Sequence, residues 1–291
     1  MSETQIIQGD CLEVMDSLPI GSVNLVFGSP SYEDARTYGM DFALTGQDWV
    51  DWMVEVFKAS LRVCSGLVAF VVEGRTRAFR YSATPLLLAA DLHRAGIHLR
   101  NPPVFHRNGI PGSGRSDWLR NDYEFIICGT NGGELPWSDN TAMGHTPKCA
   151  VGGEMSYRNQ DGRRKNQRHR KNKTPSQKQR ANGVSGNPGY EPPKIANPGN
   201  VITLKVGGGH MGSKLNSENE APFPEKLAEF FIRSFCPEGG TVLDPFSGSG
   251  TTAAVANRFG RNAVAIDIRQ SQCELTQKRV DSVKEESALL D

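Results

Sequence analysis

Apolar residues in the first 130 positions recur with two different periods. Short turn-bounded runs at Gln5–Gln8, Val23–Phe27, Leu67–Val72 and Tyr123–Cys128 predict strands. Trp49, Trp52, Met53, Val56, Phe57 and Leu61 follow helical spacing and predict a helix after Thr45, with Thr45 and Asp48 as a capping box. Thr84-Pro85 opens a second helix and Gly96 closes it, since proline suits a first turn and glycine an end. After Asn200 the alternation resumes. It predicts a strand at Val201–Leu204, a helix over Glu225–Phe235, a strand at Thr241–Leu243, a helix from Thr251, a strand at Ala263–Ile266 and a helix from Ser271. Such alternation is the signature of an α/β fold: a mostly parallel, Rossmann-like sheet with helices on both faces. Between about 130 and 200 the periodicity vanishes into glycine, proline, asparagine and basic residues. The organisation expected is one half of a domain over 1–130, a long loop-rich insertion over 131–200, and the other half over 201–291.

Composition adds little to this until charge is mapped. The chain has 291 residues, 22% charged and 37% apolar, ordinary values for a globular protein. No run nears the roughly 18 apolar residues of a membrane span, and "MSETQIIQGD" lacks a signal-peptide pattern, so a cytoplasmic protein without a membrane partner is expected. The six cysteines include no C-x-x-C pair, which argues against a zinc site or a disulfide framework. The net charge of +1 hides an asymmetry: Arg158 to Arg180 holds ten Lys or Arg against Asp161 alone, a local +9, so the remainder carries −8. An acidic body with one basic segment suggests a polyanionic partner, although a solvated loop would have the same composition.

Two turns hold the candidate chemistry. In "TVLDPFSGSGTTAAVANRFGRNAVAID" a strand leads through glycines to a helix and a second strand ending at Asp267. Gly248 and Gly250 let backbone approach a ligand, the helix start offers N–H groups, and Asp267 is placed to accept ribose hydroxyls. Gly248-x-Gly250-x-x-Ala253 satisfies the dinucleotide fingerprint, which keeps a nicotinamide-dependent oxidoreductase open, as well as a purely structural turn in a DNA-binding protein. Two features favour another ligand. Only 24 residues follow Asp267, and the turn opens with Asp244-Pro245-Phe246, whose carboxylate suits a cationic ligand better than a phosphate. No lysine follows Gly250, which excludes a P-loop. The other turn, "FGSPSYEDARTYG", ends the Val23–Phe27 strand with two hydroxyls, a proline and an aromatic ring, and by itself is compatible with a packed strand end.

Together the two turns resemble the amino-methylating DNA methyltransferases. "DPFSGSGT" is similar to their S-adenosylmethionine motif and "SPSY" to their catalytic tetrapeptide, (D/N/S)-P-P-(Y/F/W); the catalytic motif first and the cofactor motif last is the β-group order. "GDCLEVMDSLPIGSVNLVFGSPSY" and "NEAPFPEKLAEFFIRSFCPEGGTVLDPFSGSGTT" extend the resemblance over 5–130 and 200–280. It implies that the Ser29 hydroxyl and the Pro30 carbonyl accept the two N–H bonds of an exocyclic amine, and that Tyr32 stacks on a flipped base. Ser31 stands where the family usually has a second proline, which removes one restraint from the loop. A serine first usually accompanies cytosine N4 and an aspartate adenine N6, so the resemblance implies cytosine N4. Methylation at cytosine C5 would need a nucleophilic cysteine, typically in a Pro-Cys dipeptide, and the sequence has none.

The cofactor residues implied are Asp10, Phe223, Asp244, Pro245, Phe246, Gly248, Ser249, Gly250, Thr251 and Asp267. Asp10 would serve equally as a helix cap for Cys11–Leu18, and Phe223 as a hydrophobic staple. Glu33, Asp34 and Arg36 would shape the loop over the base. The basic insertion falls where the group has its target recognition region; Arg158, Arg163, Arg164, Lys165, Arg168, Arg170, Lys171 and Lys173 would contact phosphates of double-stranded DNA. A homodimer and a cognate restriction endonuclease are further partners that the resemblance leaves open.

Overall fold

The computed structural model describes residues 2–33, 42–109, 117–146, 157–158, 161, 164–165, 194–207, 209–218 and 221–288. Strand β1 (Thr4–Gln8) leads to α1 (Cys11–Ser17), β2 (Val23–Gly28), α2 (Gly46–Val63) and β3 (Cys64–Val72). Next come a two-residue-per-strand hairpin, β4 (Thr76–Arg77) and β5 (Arg80–Tyr81), then α3 (Thr84–Arg94), β6 (His98–Leu99), β7 (Val104–Asn108) and β8 (Tyr123–Thr130). Short strands β9 (Tyr157–Arg158) and β10 (Arg164–Lys165) pair antiparallel. β11 (Val201–Lys205), a 3-10 turn at Lys214–Glu218, α4 (Glu225–Phe235), β12 (Thr241–Asp244), α5 (Thr251–Arg258), β13 (Asn262–Asp267) and α6 (Gln270–Ala288) complete the order.

The chain divides into two compact units, Met1–Ala142 with Gly199–Asp291, and Met143–Pro198. Residues 131–142 stay with the larger unit because Asn131 Nδ2 donates to the carbonyls of Leu61 and Cys64, and the Asp139 N–H to Ser234. In the smaller unit, His145 and Ala196 form an antiparallel bridge. Arg163, Arg168, Arg170, Lys171 and Lys173 lie outside the described residues, as do Asp34 and Arg36. No helix among the described residues is long and apolar enough to cross a membrane.

The larger unit holds a sheet in the order β1-β13-β12-β2-β3-β8-β7-β11, with β6 beside β8. Every pair from β1 to β3 along that order is parallel, and β8 runs against both its main neighbours. β2 and β3 are buried on both faces, so their sequences read as nearly unbroken apolar runs rather than as alternation. Leu25, Phe27, Leu67 and Ala69 pack on one side with Phe231 and Ala253; Val26, Val68 and Phe70 pack on the other with Trp49, Met53 and Leu88. Burying a side chain of that size contributes about 1.5–3 kcal/mol. Helices therefore cover both faces, and the C-terminal ends of the parallel strands gather at one edge.

Of two capping expectations, one changes and one holds. Thr45 precedes α2 but makes no side-chain cap bond; the Gly46 N–H instead donates to Glu33 Oε2 at 3.1 Å, tying the helix to the turn after β2. Asp10 does cap α1, its Oδ1 accepting from the N–H groups of Leu12 and Glu13.

Candidate active site

β2 and β12 are adjacent and parallel, so the turns that follow them emerge side by side. A cavity of about 290 Å³ opens there, lined by Ser29, Pro30, Ser31 and Tyr32 from one turn and by Pro245, Phe246 and Gly248 from the other. Asp10 and Asp267, at the tips of the neighbouring strands β1 and β13, line it as well. Two stretches more than 200 residues apart in sequence thus face one space.

The first turn is fixed from three sides. Trp49 Nε1 donates to the Ser31 carbonyl at 2.8 Å, which restrains the loop where the second proline is missing. The Ser29 hydroxyl has the Val71 carbonyl at 3.2 Å and the Tyr32 hydroxyl at 3.3 Å as acceptors for its single hydrogen. Its oxygen lone pairs remain available to a donor in the cavity. The Tyr32 hydroxyl donates to Glu124 Oε2 at 2.9 Å, so the ring is held at its far end. Burial, reinforced by the Glu124 charge, pushes the phenol well above the ordinary tyrosine range and keeps it protonated. Glu124 itself is pushed up to about 7 by burial and the nearby Glu73, against the opposing pull of Arg107, which it meets at 3.0 Å. Arg107 also pairs with Glu73 at 3.1 Å.

The second turn is built from below. Gly250, at φ 77°, has Thr276 within 2.8 Å of where a Cβ would lie, so only glycine fits. Arg279, fully buried, donates to the Ser249 hydroxyl at 3.2 Å, to Thr251 Oγ1 at 2.9 Å and to Glu225 Oε1 at 2.6 Å. Burial works against a charged Glu225, yet the bonds from Arg258 and Arg279 outweigh it and hold the carboxyl below its usual range. Asp267 accepts from the Gly248 N–H at 2.9 Å and the Arg269 N–H at 2.9 Å, one on each oxygen. A carboxylate has about four acceptor positions, so Asp267 keeps capacity for hydroxyl donors.

Of the sequence-derived cofactor residues, Asp10, Pro245, Phe246, Gly248 and Asp267 line the cavity, and five others do not. Asp244 is buried, its Oδ1 accepting from the Phe246 N–H at 3.0 Å and filling the space where Gly28 would carry a Cβ. Burial pushes its carboxyl up to about 7; in this position it packs the two turns together and does not line the cavity. Ser249 and Thr251 face Arg279, Gly250 faces Thr276, and Phe223 packs edge-on against Phe27 at 5.4 Å. These four shape the loop and its support from behind the wall.

Other wall residues went unread in the sequence. Trp52 and Phe42 form an aromatic side, 5.0 Å apart, with Trp52 also 5.6 Å from Phe246. Trp52 fits the helical period of α2, and its spacing of three from Trp49 is the available signal. Glu124 gave no signal, because nothing in a strand sequence says which neighbour its first residues will meet.

The comparisons with known proteins follow the same lines. The DNA methylase family model, for N6 and N4 methylation, matches residues 23–278. The orphan methyltransferase M.BamHII of Bacillus amyloliquefaciens is 24% identical over 265 residues, 89% of each chain. The type II methyltransferase M2.DpnII of Streptococcus pneumoniae is 42% identical over 62 residues, 21% of this chain and 23% of its own. Among solved structures, the cytosine-N4-specific PvuII DNA methyltransferase superposes with a TM-score of 0.67 at 18% identity, covering 98% of this chain and 91% of that one. The Thermus thermophilus protein TTHA0409, complexed with S-adenosyl-L-methionine, gives 0.57 at 22% identity, covering 97% and 94%. The nicotinamide reading of the glycine fingerprint finds no support among them. From Val23 to Lys278, through both turns that line the cavity, the chain belongs to the N6/N4 DNA methylase family.

Proposed function

We propose that the protein moves a methyl group from S-adenosylmethionine to the exocyclic amine of a base flipped out of double-stranded DNA, with cytosine N4 as the target. One observation carries the reading: Ser29–Tyr32 and Pro245, Phe246 and Gly248 line the same cavity. The residues present suit the donor. Asp10 and Asp267 offer carboxylates to ribose hydroxyls, and Phe246 and Ile268 offer apolar contact to an adenine. Asp10 and Asp267 outnumber Arg269 in the wall, a net negative charge that disfavours a phosphate-bearing ligand and tolerates a cationic one. S-adenosylmethionine would supply an electrophilic methyl carried on a sulfonium.

The chain's own residues do the rest. An exocyclic amine is a poor nucleophile while its lone pair is delocalised into the ring. Accepting its two N–H bonds at Ser29 Oγ and the Pro30 carbonyl localises the pair and aims it, a gain in orientation and electrostatics. On transfer the sulfonium would leave as the neutral thioether S-adenosylhomocysteine, and the proton lost by the methylated nitrogen would pass to solvent water. Tyr32 would stack on the base, and Glu124 keeps the ring in place through its hydroxyl. Ser29 in the first tetrapeptide position supports cytosine N4; adenine N6 is the alternative within the family. We also assign target recognition to residues 131–200, with the basic segment on phosphates, and the catalytic and cofactor halves to 1–130 and 201–291.

The test is incubation of the purified protein with DNA and methyl-labelled S-adenosylmethionine, followed by digestion and identification of the modified nucleoside. N4-methylcytosine is expected. N6-methyladenine would overturn the target base, and absence of transfer while the cofactor binds would overturn the reading as a whole.

A further inference from the structure

The segment Gly74–Ser82, "GRTRAFRYS", takes no part in the cavity, yet it is built at a cost. β4 and β5 pair Thr76 with Tyr81 and Arg77 with Arg80, leaving Ala78 and Phe79 as a two-residue turn. Both turn residues have left-handed backbone, φ 46° and 63°. Such turns ordinarily take Asn-Gly, because a side chain with a Cβ is strained there. A bulky aromatic in that conformation is a genuine outlier, and outliers of this kind persist where the surroundings hold them and a function uses them. Here the result is a phenylalanine projecting at the tip, 70% exposed. Trp118 meets its edge at 5.4 Å and does not cover it.

The hairpin is tied to the catalytic turn. Arg75 Nη1 donates to the Glu33 carbonyl at 3.3 Å, one residue past Tyr32. At its base the Arg75 N–H donates to Ser82 Oγ at 2.9 Å, and the Ser82 N–H to the Arg75 carbonyl at 2.8 Å. The Tyr81 ring lies where Gly74 would carry a Cβ, and burial, then Tyr123, Glu73 and Glu33, push its phenol up. Val71, three residues before Gly74, supplies the carbonyl that receives Ser29. Three arginines and no acidic residue occupy these nine positions, and Arg77 and Arg80, both exposed, flank the aromatic tip.

We propose that this hairpin opens the duplex: Phe79 enters the base stack next to the target while Arg77 and Arg80 hold the flanking phosphates. The inference rests on the DNA-methylating reading of the same cavity and adds the element that stabilises the flipped state. Extruding a base leaves a gap in the stack, and apolar wedges inserted at a base step are a general means of filling one. Arginines on either side supply the charge that a duplex selects, and the Arg75–Glu33 bond ties the base of the wedge to the turn that carries Tyr32.

The test compares wild type, Phe79→Ala and Phe79→Trp in single-turnover methylation of two duplexes that carry the site modified by wild type. One has the target base normally paired, and the other has it opposite an abasic position, where flipping costs little. Phe79→Ala should lose about 5- to 150-fold on the paired duplex, the range expected when one stacking interaction is removed. It should stay near wild type on the orphaned target, and Phe79→Trp should restore the paired rate. Equal losses on both duplexes, or no loss on either, would overturn the hairpin while leaving the methyltransferase reading intact. If wild type modifies no site in any DNA, so that no such duplex can be made, both readings fall. Unfolding curves of the three proteins should coincide, since the tip is exposed.

Discussion

Glu124 shows how much a single buried group can set. Its carboxyl receives the Tyr32 hydroxyl, pairs with Arg107, and is pushed up to about 7 chiefly by burial. An unfolded glutamate titrates near ~4.3. The folded protein therefore holds the extra proton more tightly, and this part of its stability is full below that value and is lost as pH rises through about 7. Asp244, also pushed up to about 7, shares the window. In Glu124→Gln the fall in Tm between pH 5 and pH 8 should accordingly be smaller than in wild type, but not abolished. An unchanged fall would mean that Glu124 does not carry its proton in the folded state. Ring position was legible at this scale, since "SPSY" named Ser29 and Tyr32 outright. The partner of the ring was not, because Glu124 is 92 residues away in sequence.

At the scale of elements, the glycine loop depends on the helix that follows β13. Arg279 on α6 reaches under the loop to Ser249 and Thr251 and is neutralised by Glu225 on α4, so three elements meet at one guanidinium. Arg279→Met should lower stability by about 3 kcal/mol, the lower end for breaking a buried pair, because Glu225 keeps Arg258. It should also weaken S-adenosylmethionine binding by loosening Gly248 and its neighbours. Thermal unfolding and calorimetric titration check the two effects, and an unaltered Kd would separate the loop's support from its binding role. Most of the longer strands and helices were readable from period and punctuation, down to proline at the start of α3, but β7 was not. The reversed β8 and the β4–β5 hairpin were not, since alternation of strands and helices implies parallel crossovers and two-residue strands leave no periodic trace.

For the whole molecule the governing quantity is the separation of charge. A local +9 between Arg158 and Arg180 stands against −8 elsewhere, so removing that segment leaves an acidic protein. Every phosphate no longer neutralised should reduce the slope of log affinity against log salt by about 0.9. Deleting 158–180 should flatten that slope by several units and weaken duplex binding at low salt, as read by titration across salt concentrations. A slope that does not change would show that these charges do not meet phosphate.

The sequence by itself determined most of the longer elements, the two chemistry-bearing turns and the location of the basic segment. Each is a property of neighbouring residues: an apolar period, a glycine that permits a close turn, a proline that ends a strand. Tertiary structure decided which side chains complete the site. Trp49 reaches Ser31, Arg279 reaches Ser249, and β8 runs backwards so that Glu124 lies beyond the end of β3 beside Tyr32. It also turned Asp244 from the cavity towards Gly28. These are contacts between distant parts of the chain, fixed by strand order and direction, and no local pattern encodes which strand will lie next to which.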